Sequence, residues 1–161
     1  VVVLSLFTYI AHWVPQLVSL PPKKVAFDPL QIKTKADLAE AGKQLFFGKA
    51  QCALCHSIEP TEAPRAPVMQ GLGAKRTREY IYESMIKPEA VIYKQYALEG
   101  PAKSFPSEMP PINKPPVGLS ETEMLAVVAF VQSLGGQVTV EPEEVKALIP
   151  ASASEKVRNG N

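Results

Sequence analysis

Cysteine is scarce in these 161 residues: there are two, three positions apart. A pair that close cannot staple distant segments, which excludes a disulfide framework. An excess of either charge is also missing. Seventeen basic residues face sixteen acidic ones, for a formal net charge of +1. A nucleic-acid binder shows a clustered basic excess, so no nucleic acid is expected as a partner. No stretch alternates with the period of two that marks a strand, and no segment repeats another. What is abundant is proline. Sixteen prolines are about twice the ordinary share, so regular structure must be interrupted often. Apolar residues at 46% with 20% charged allow a packed core and argue against wholesale disorder. Composition therefore points to one small globular domain with irregular loops.

The first twenty residues, VVVLSLFTYIAHWVPQLVSL, carry no fixed charge, and fourteen are apolar. At about 1.5 Å per residue, a helix of that length crosses the roughly 30 Å hydrocarbon core. A cleaved signal peptide has a shorter apolar stretch and a small-residue cleavage site, and neither is visible. Residues 1–22 are thus expected to form a transmembrane anchor rather than a buried helix. A start at Val1 instead of methionine is what a processed or truncated chain would show. Ser5, Thr8, His12 and Gln16 line one stripe of that helix, a face suited to a protein neighbour. The alternative is that each bonds its own preceding backbone turn. Residues 23–35 read as a linker, where Lys23 and Lys24 vote for the cytoplasmic side.

Thr34 followed by Asp37 has capping-box spacing and predicts a helix to Phe47, stopped by Gly48. Thr77 caps a second helix, Arg78 to Lys87, halted by Pro88. Six prolines from Pro101 to Pro116 leave little room for regular structure. Ser120 and Glu123 make another capping box before the run Leu125 to Leu134, with Gly135 as the stop. Beyond it, residues 136–161 read as a tail with one short helix, its end disordered or draped on a partner.

Cys52-Ala53-Leu54-Cys55-His56 is a C-x-x-C-H sequence, the signature of covalent haem attachment. Two thiols one turn apart reach the two vinyl groups of one porphyrin, and the next histidine falls under the iron as proximal ligand. A C-x-x-C redox pair expects a β-α-β setting, which is absent. Zinc needs four ligands, and only distant His12 is left to complete the set. A six-coordinate iron then needs a ligand on the opposite face. Met85 and Met124 lie on predicted helices, where methionine fills core. Met69 follows Pro67 in a loop, and Met109 sits in SEMPPI, stiffened by Pro110 and Pro111. A rigid loop holds a weak thioether best, so His56 and Met109 are the expected metal ligands, with Met69 the alternative.

With these motifs in order, residues 36–135 resemble a class I cytochrome c. GKQLFFGKAQCALCH ends a first helix, APVMQGLGAKRT follows as a loop, MPP closes a methionine loop, and LSETEMLAVVAFVQSL is a closing helix. The resemblance implies an all-α class I fold, here preceded by one transmembrane helix, with Gly42, Phe46 and Phe130 in contact where first and last helices cross. It implies one covalent haem c. It also implies that the Pro67 carbonyl accepts a hydrogen bond from the His56 ring. Arg76, Arg78, Tyr80 and Tyr93 become candidates for the haem propionates. The implied function is one-electron transfer by a membrane-anchored subunit, from a quinol-oxidising complex towards a terminal acceptor. Haem attachment in this family takes place outside the cytoplasmic membrane, which outweighs the two lysines. Other membrane subunits and redox proteins are the expected partners. No general base or nucleophile stands out, so the chain alone is not expected to be an enzyme. The alternative is a haem enzyme or gas-sensing subunit with a displaceable distal ligand. The anchor, the insertion-like stretch from Val91 to Ser107 and the acidic tail depart from the family pattern and argue against a freely diffusing carrier.

Overall fold

The computed structural model describes residues 2–13, 27–62, 65–92 and 108–149. Among these, helix is the only regular structure, as the missing period-two alternation predicts. Thr34 Oγ1 accepts a hydrogen bond from the Asp37 amide at 3.1 Å, and Asp37 Oδ2 accepts one from the Thr34 amide at 2.9 Å. That complete capping box starts helix α2 (Lys35–Phe47), and its hydrogen bonds hold the Asp37 carboxyl below its ordinary pKa. Ser120 and Glu123 start helix α5 (Glu121–Ser133) the same way. Every α5 residue from Glu123 to Gln132 is buried, so this helix is the axis of the core.

Helices α2 and α5 cross at Gly42, where a Cβ would fall 1.8 Å from the Ala126 carbonyl oxygen and 3.0 Å from the Phe130 Cβ. One turn on, Phe46 meets Phe130 edge to face, with ring centroids 5.3 Å apart. The expected contact of Gly42, Phe46 and Phe130 is therefore present. A short helix α3 (Leu72–Lys75) and helix α4 (Arg78–Ile86) pack on other faces of α5. Helix α4 ends one residue earlier than predicted. Lys87, which precedes Pro88, leaves the helical region at φ −135° and ψ 67°, because the proline ring crowds a helical predecessor.

The packed core reaches beyond residues 36–135 on both sides. Asp28 caps a 3-10 turn over Pro29–Gln31, and Ile32 behind it is buried. After α5, Gln132 accepts a hydrogen bond from the Thr139 amide at 3.0 Å and donates to its hydroxyl at 2.9 Å. That turns the chain into helix α6 (Pro142–Ala147), and Val140 and Val145 are fully buried. Residues 27–34 and 138–149, read from sequence as linker and tail, are thus built into the domain. Lys35 pairs with Glu141 at 2.7 Å, and Arg78 donates to Glu144 at 3.0 Å.

The Arg78 guanidinium lowers the pKa of Glu144 below its ordinary 4.5. A carboxylate with a depressed folded pKa contributes stability that is fully present above its unfolded value and fades as pH falls below it. Acidification through 4.5 should accordingly loosen α6 ahead of α2 and α5. Glu144 is well exposed, so the contribution is about 0.2–1 kcal/mol. Amide exchange should show faster opening of residues 143–147 at low pH, and Glu144→Gln should open α6 at neutral pH and remove that step. A pH-independent α6 in the parent protein would refute the coupling.

Helix α1 (Val2–Trp13) is exposed along residues 2–12. Its twelve residues span about 18 Å, short of the roughly 30 Å of a hydrocarbon core. No helix among the described residues is long and apolar enough to cross a membrane. The rest of the expected anchor, with Gln16, lies outside the described residues. So do 93–107, which hold Tyr93 and most of the insertion-like stretch, and the end of the tail. Within α1, the Thr8 hydroxyl donates back to the carbonyls of Leu4 and Ser5 at 3.0 and 2.9 Å. For Thr8, backbone bonding is the outcome, as a short hydroxyl on a helix allows.

Candidate functional site

The site begins where α2 ends. Gly48 and Ala50 fold the chain back through hydrogen bonds to Leu45, and Gln51 adopts a left-handed backbone with φ 56°. That reversal launches a 3-10 turn over Cys52–Leu54. The amides of Cys55 and His56 both donate to the Cys52 carbonyl, at 3.1 and 2.9 Å, so the motif is wound into one compact turn. Both cysteines are free thiols, Cys52 half-buried and Cys55 exposed. Burial pushes the Cys52 thiol up to about 12. It is therefore protonated at neutral pH, a poor state for a redox nucleophile. Among the described residues no group of His, Cys, Asp and Glu is arranged to hold a metal ion.

His56 is half-buried, and its Nδ1 lies 2.8 Å from the carbonyl oxygen of Pro67. A carbonyl can only accept, so Nδ1 carries the hydrogen and donates it. Nε2 is left with its lone pair free. Burial moves the His56 pKa below 6.5, partly opposed by the Pro67 bond, and the ring is neutral at pH 7. The loop bringing Pro67 there is pinned by the Met69 amide on the Ser57 carbonyl and the Gln70 amide on Ile58, both at 2.9 Å.

The two candidate methionines differ in surroundings. Met69 is buried within the main core cluster. Met109 is half-buried at the cluster's edge, on a loop held to α4 by the Ile112 amide donating to the Met85 carbonyl at 3.0 Å. Exposed Arg65, on the Pro67 loop, reaches Glu108 beside Met109 at 3.4 Å. The structure thus ties the His56-bracing loop to the Met109 loop.

Of the candidates for propionate contacts, Arg76 lies over the Tyr80 ring, 4.9 Å from its centroid. Arg78 is spoken for. It is bonded to Glu144 and approached by Glu79 at 3.8 Å, so its charge is compensated inside the protein. Glu144 sits in a segment read as tail, which is why sequence alone left Arg78 available. A residue missed altogether is Lys49, whose Nζ donates to both carboxylate oxygens of Glu123 at 2.7 Å. The capping role of Glu123 is visible in sequence, but a partner 74 positions away is not.

Two thiols and a neutral imidazole with a free Nε2, all on one turn, fit a covalently held porphyrin iron better than any other group considered. Comparison with known proteins agrees. The family model described as Cytochrome c matches residues 39–135, well over half of the chain. No curated protein matches it.

Proposed function

This chain belongs to the cytochrome c family, whose members bind covalent haem c, and from that premise we propose which residues hold the haem and where the protein works. Cys52 and Cys55 would hold the haem through thioethers, and His56 Nε2 and Met109 would ligate its iron. The haem supplies a reversible one-electron change at iron with no bond made or broken. The protein's part is to keep that change cheap in reorganisation. Pro67 fixes the tautomer and direction of His56 and raises its basicity. Arg76 and Tyr80 are the propionate contacts. The single observation that carries this assignment is the Nδ1 bond to Pro67, because it leaves a metal-ready nitrogen next to the two thiols.

The test is direct. After denaturation and acid–acetone extraction the haem should stay on the polypeptide, and the folded protein should titrate as one reversible one-electron couple. Haem recovered in the extract would overturn the assignment.

The working place we propose is the outer side of the cytoplasmic membrane, as a subunit that moves electrons from a quinol-oxidising complex towards a terminal acceptor. The apolar, uncharged character of residues 1–20 and the exposure of Val2, Leu4, Leu6, Phe7 and Ile10 along α1 support an anchor. Removing residues 1–22 should release a folded red protein into the soluble fraction. Retention on membranes washed in high salt would sink the anchor.

A further inference from the structure

The turn that carries Cys52, Cys55 and His56 leaves α2 through an unfavourable backbone. Gln51 is the only described residue other than glycine with a left-handed φ. Such a conformation costs free energy and persists only where the surroundings over-determine it. Local hydrogen bonds account for part of that, since Ala50 donates to Leu45 at 2.9 Å and Gln51 to Gly48 at 3.1 Å. Both bonds, however, stay within the end of α2 and fix nothing to the rest of the domain. Ala50 is itself buried in the core, and the long-range polar hold ahead of Cys52 is Lys49. Its ammonium donates to both Glu123 oxygens at 2.7 Å and joins the connection before Cys52 to the first turn of α5.

Glu123 is suited to that work because it is itself immobilised. It is only 8% exposed. Its Oε2 accepts from the Ser120 amide at 2.8 Å and from the Ser120 hydroxyl at 3.1 Å, which leaves Oε1 for Lys49 alone. One carboxylate therefore closes the α5 cap and grips the chain three residues ahead of the first cysteine. We infer that Glu123 is a positioning residue for the haem-binding turn, acting through Lys49 to hold Cys52, Cys55 and His56 in the orientation that receives the haem. The inference rests on the haem assignment above.

Glu123→Gln separates the two duties. A glutamine at this place still accepts the Ser120 amide and keeps the cap, but it offers Lys49 no charge. Ser120→Ala is the complementary control, since it removes the hydroxyl of the cap while the residue 120 amide and Lys49 still hold the Glu123 carboxylate. The full-length protein, matured with its haem, is compared across both variants with Lys49→Met and Lys49→Arg. Three readings are taken: haem per chain, the share of chains with one free thiol, and the low-temperature electron paramagnetic resonance of the ferric iron. Glu123→Gln and Lys49→Met should each lower doubly attached haem about threefold and broaden the ferric signal, in keeping with an ion pair whose lysine is half-exposed. The double variant should be no worse than either, and Lys49→Arg should restore both readings. Ser120→Ala should lower the melting temperature while leaving attachment and signal unchanged. Equal behaviour of Ser120→Ala and Glu123→Gln would reduce the pair to ordinary stabilisation and overturn the inference. Absence of attached haem in the parent protein would instead overturn the haem assignment itself.

Discussion

Replacing Met109 by alanine should lower the reduction potential by roughly 0.2 V, a fraction of the about 0.8 V that axial ligation spans. A thioether favours ferrous iron, and the water that would take its place favours ferric. The weak far-red band from sulfur to iron should vanish with it. The structure sharpens the contrast with Met69. Because Met69 is buried in the core, truncating it should cost about 2–5 kcal/mol of stability through lost packing and a cavity. Met69→Ala should nevertheless keep the band and the potential, provided enough protein folds to be measured. Optical titration of the two variants decides the matter. If Met109→Ala keeps the band and Met69→Ala loses it, the distal ligand is Met69, and the core position of that side chain in the present structure must change when haem binds.

How much of this was legible beforehand depended on the range of the interaction. Both capping boxes were readable, because Thr34–Asp37 and Ser120–Glu123 act across three residues and leave their mark in the local sequence. The haem motif was readable for the same reason, since two thiols and an imidazole must sit on one turn. What could not be read was pairing across the chain. Nothing local in EPEE distinguishes a solvated acidic run from one whose Glu144 meets Arg78, 66 positions earlier. Val140 and Val145 look like isolated apolar residues in a polar tail until the folded core, with α5 and the turn at Pro29–Gln31 beside α6, closes over them. The same limit applies to Lys49, which reads as a surface lysine until the first turn of α5 is placed beside it.

The helix crossing at Gly42, Phe46 and Phe130 was legible only through the family resemblance, and it carries the second large prediction. Gly42→Ala should lower the melting temperature by roughly 5–15 °C, at about 3–6 °C per kcal/mol for a domain of this size. In an open helix that change would add up to about 1 kcal/mol of helix propensity. Here the new methyl group would stand 1.8 Å from the Ala126 oxygen and 2.5 Å from its carbonyl carbon. Both are backbone atoms, so no side-chain rotation relieves the clash. Helix α5 would have to retreat, and the edge-to-face contact of Phe46 with Phe130 would open with it, at about 0.5–1.5 kcal/mol beyond lost area. Overpacking of this kind costs about 1–3 kcal/mol and more where backbone must move, so the clash outweighs the propensity gain. Exposed Lys43 is the matched control: Lys43→Ala on the same helix should stay within about 0.5 kcal/mol of the parent. Thermal melts of the three proteins, followed in the far ultraviolet, give the comparison. A Gly42→Ala melt as high as that of Lys43→Ala would show that α2 and α5 do not touch backbone to backbone at this crossing.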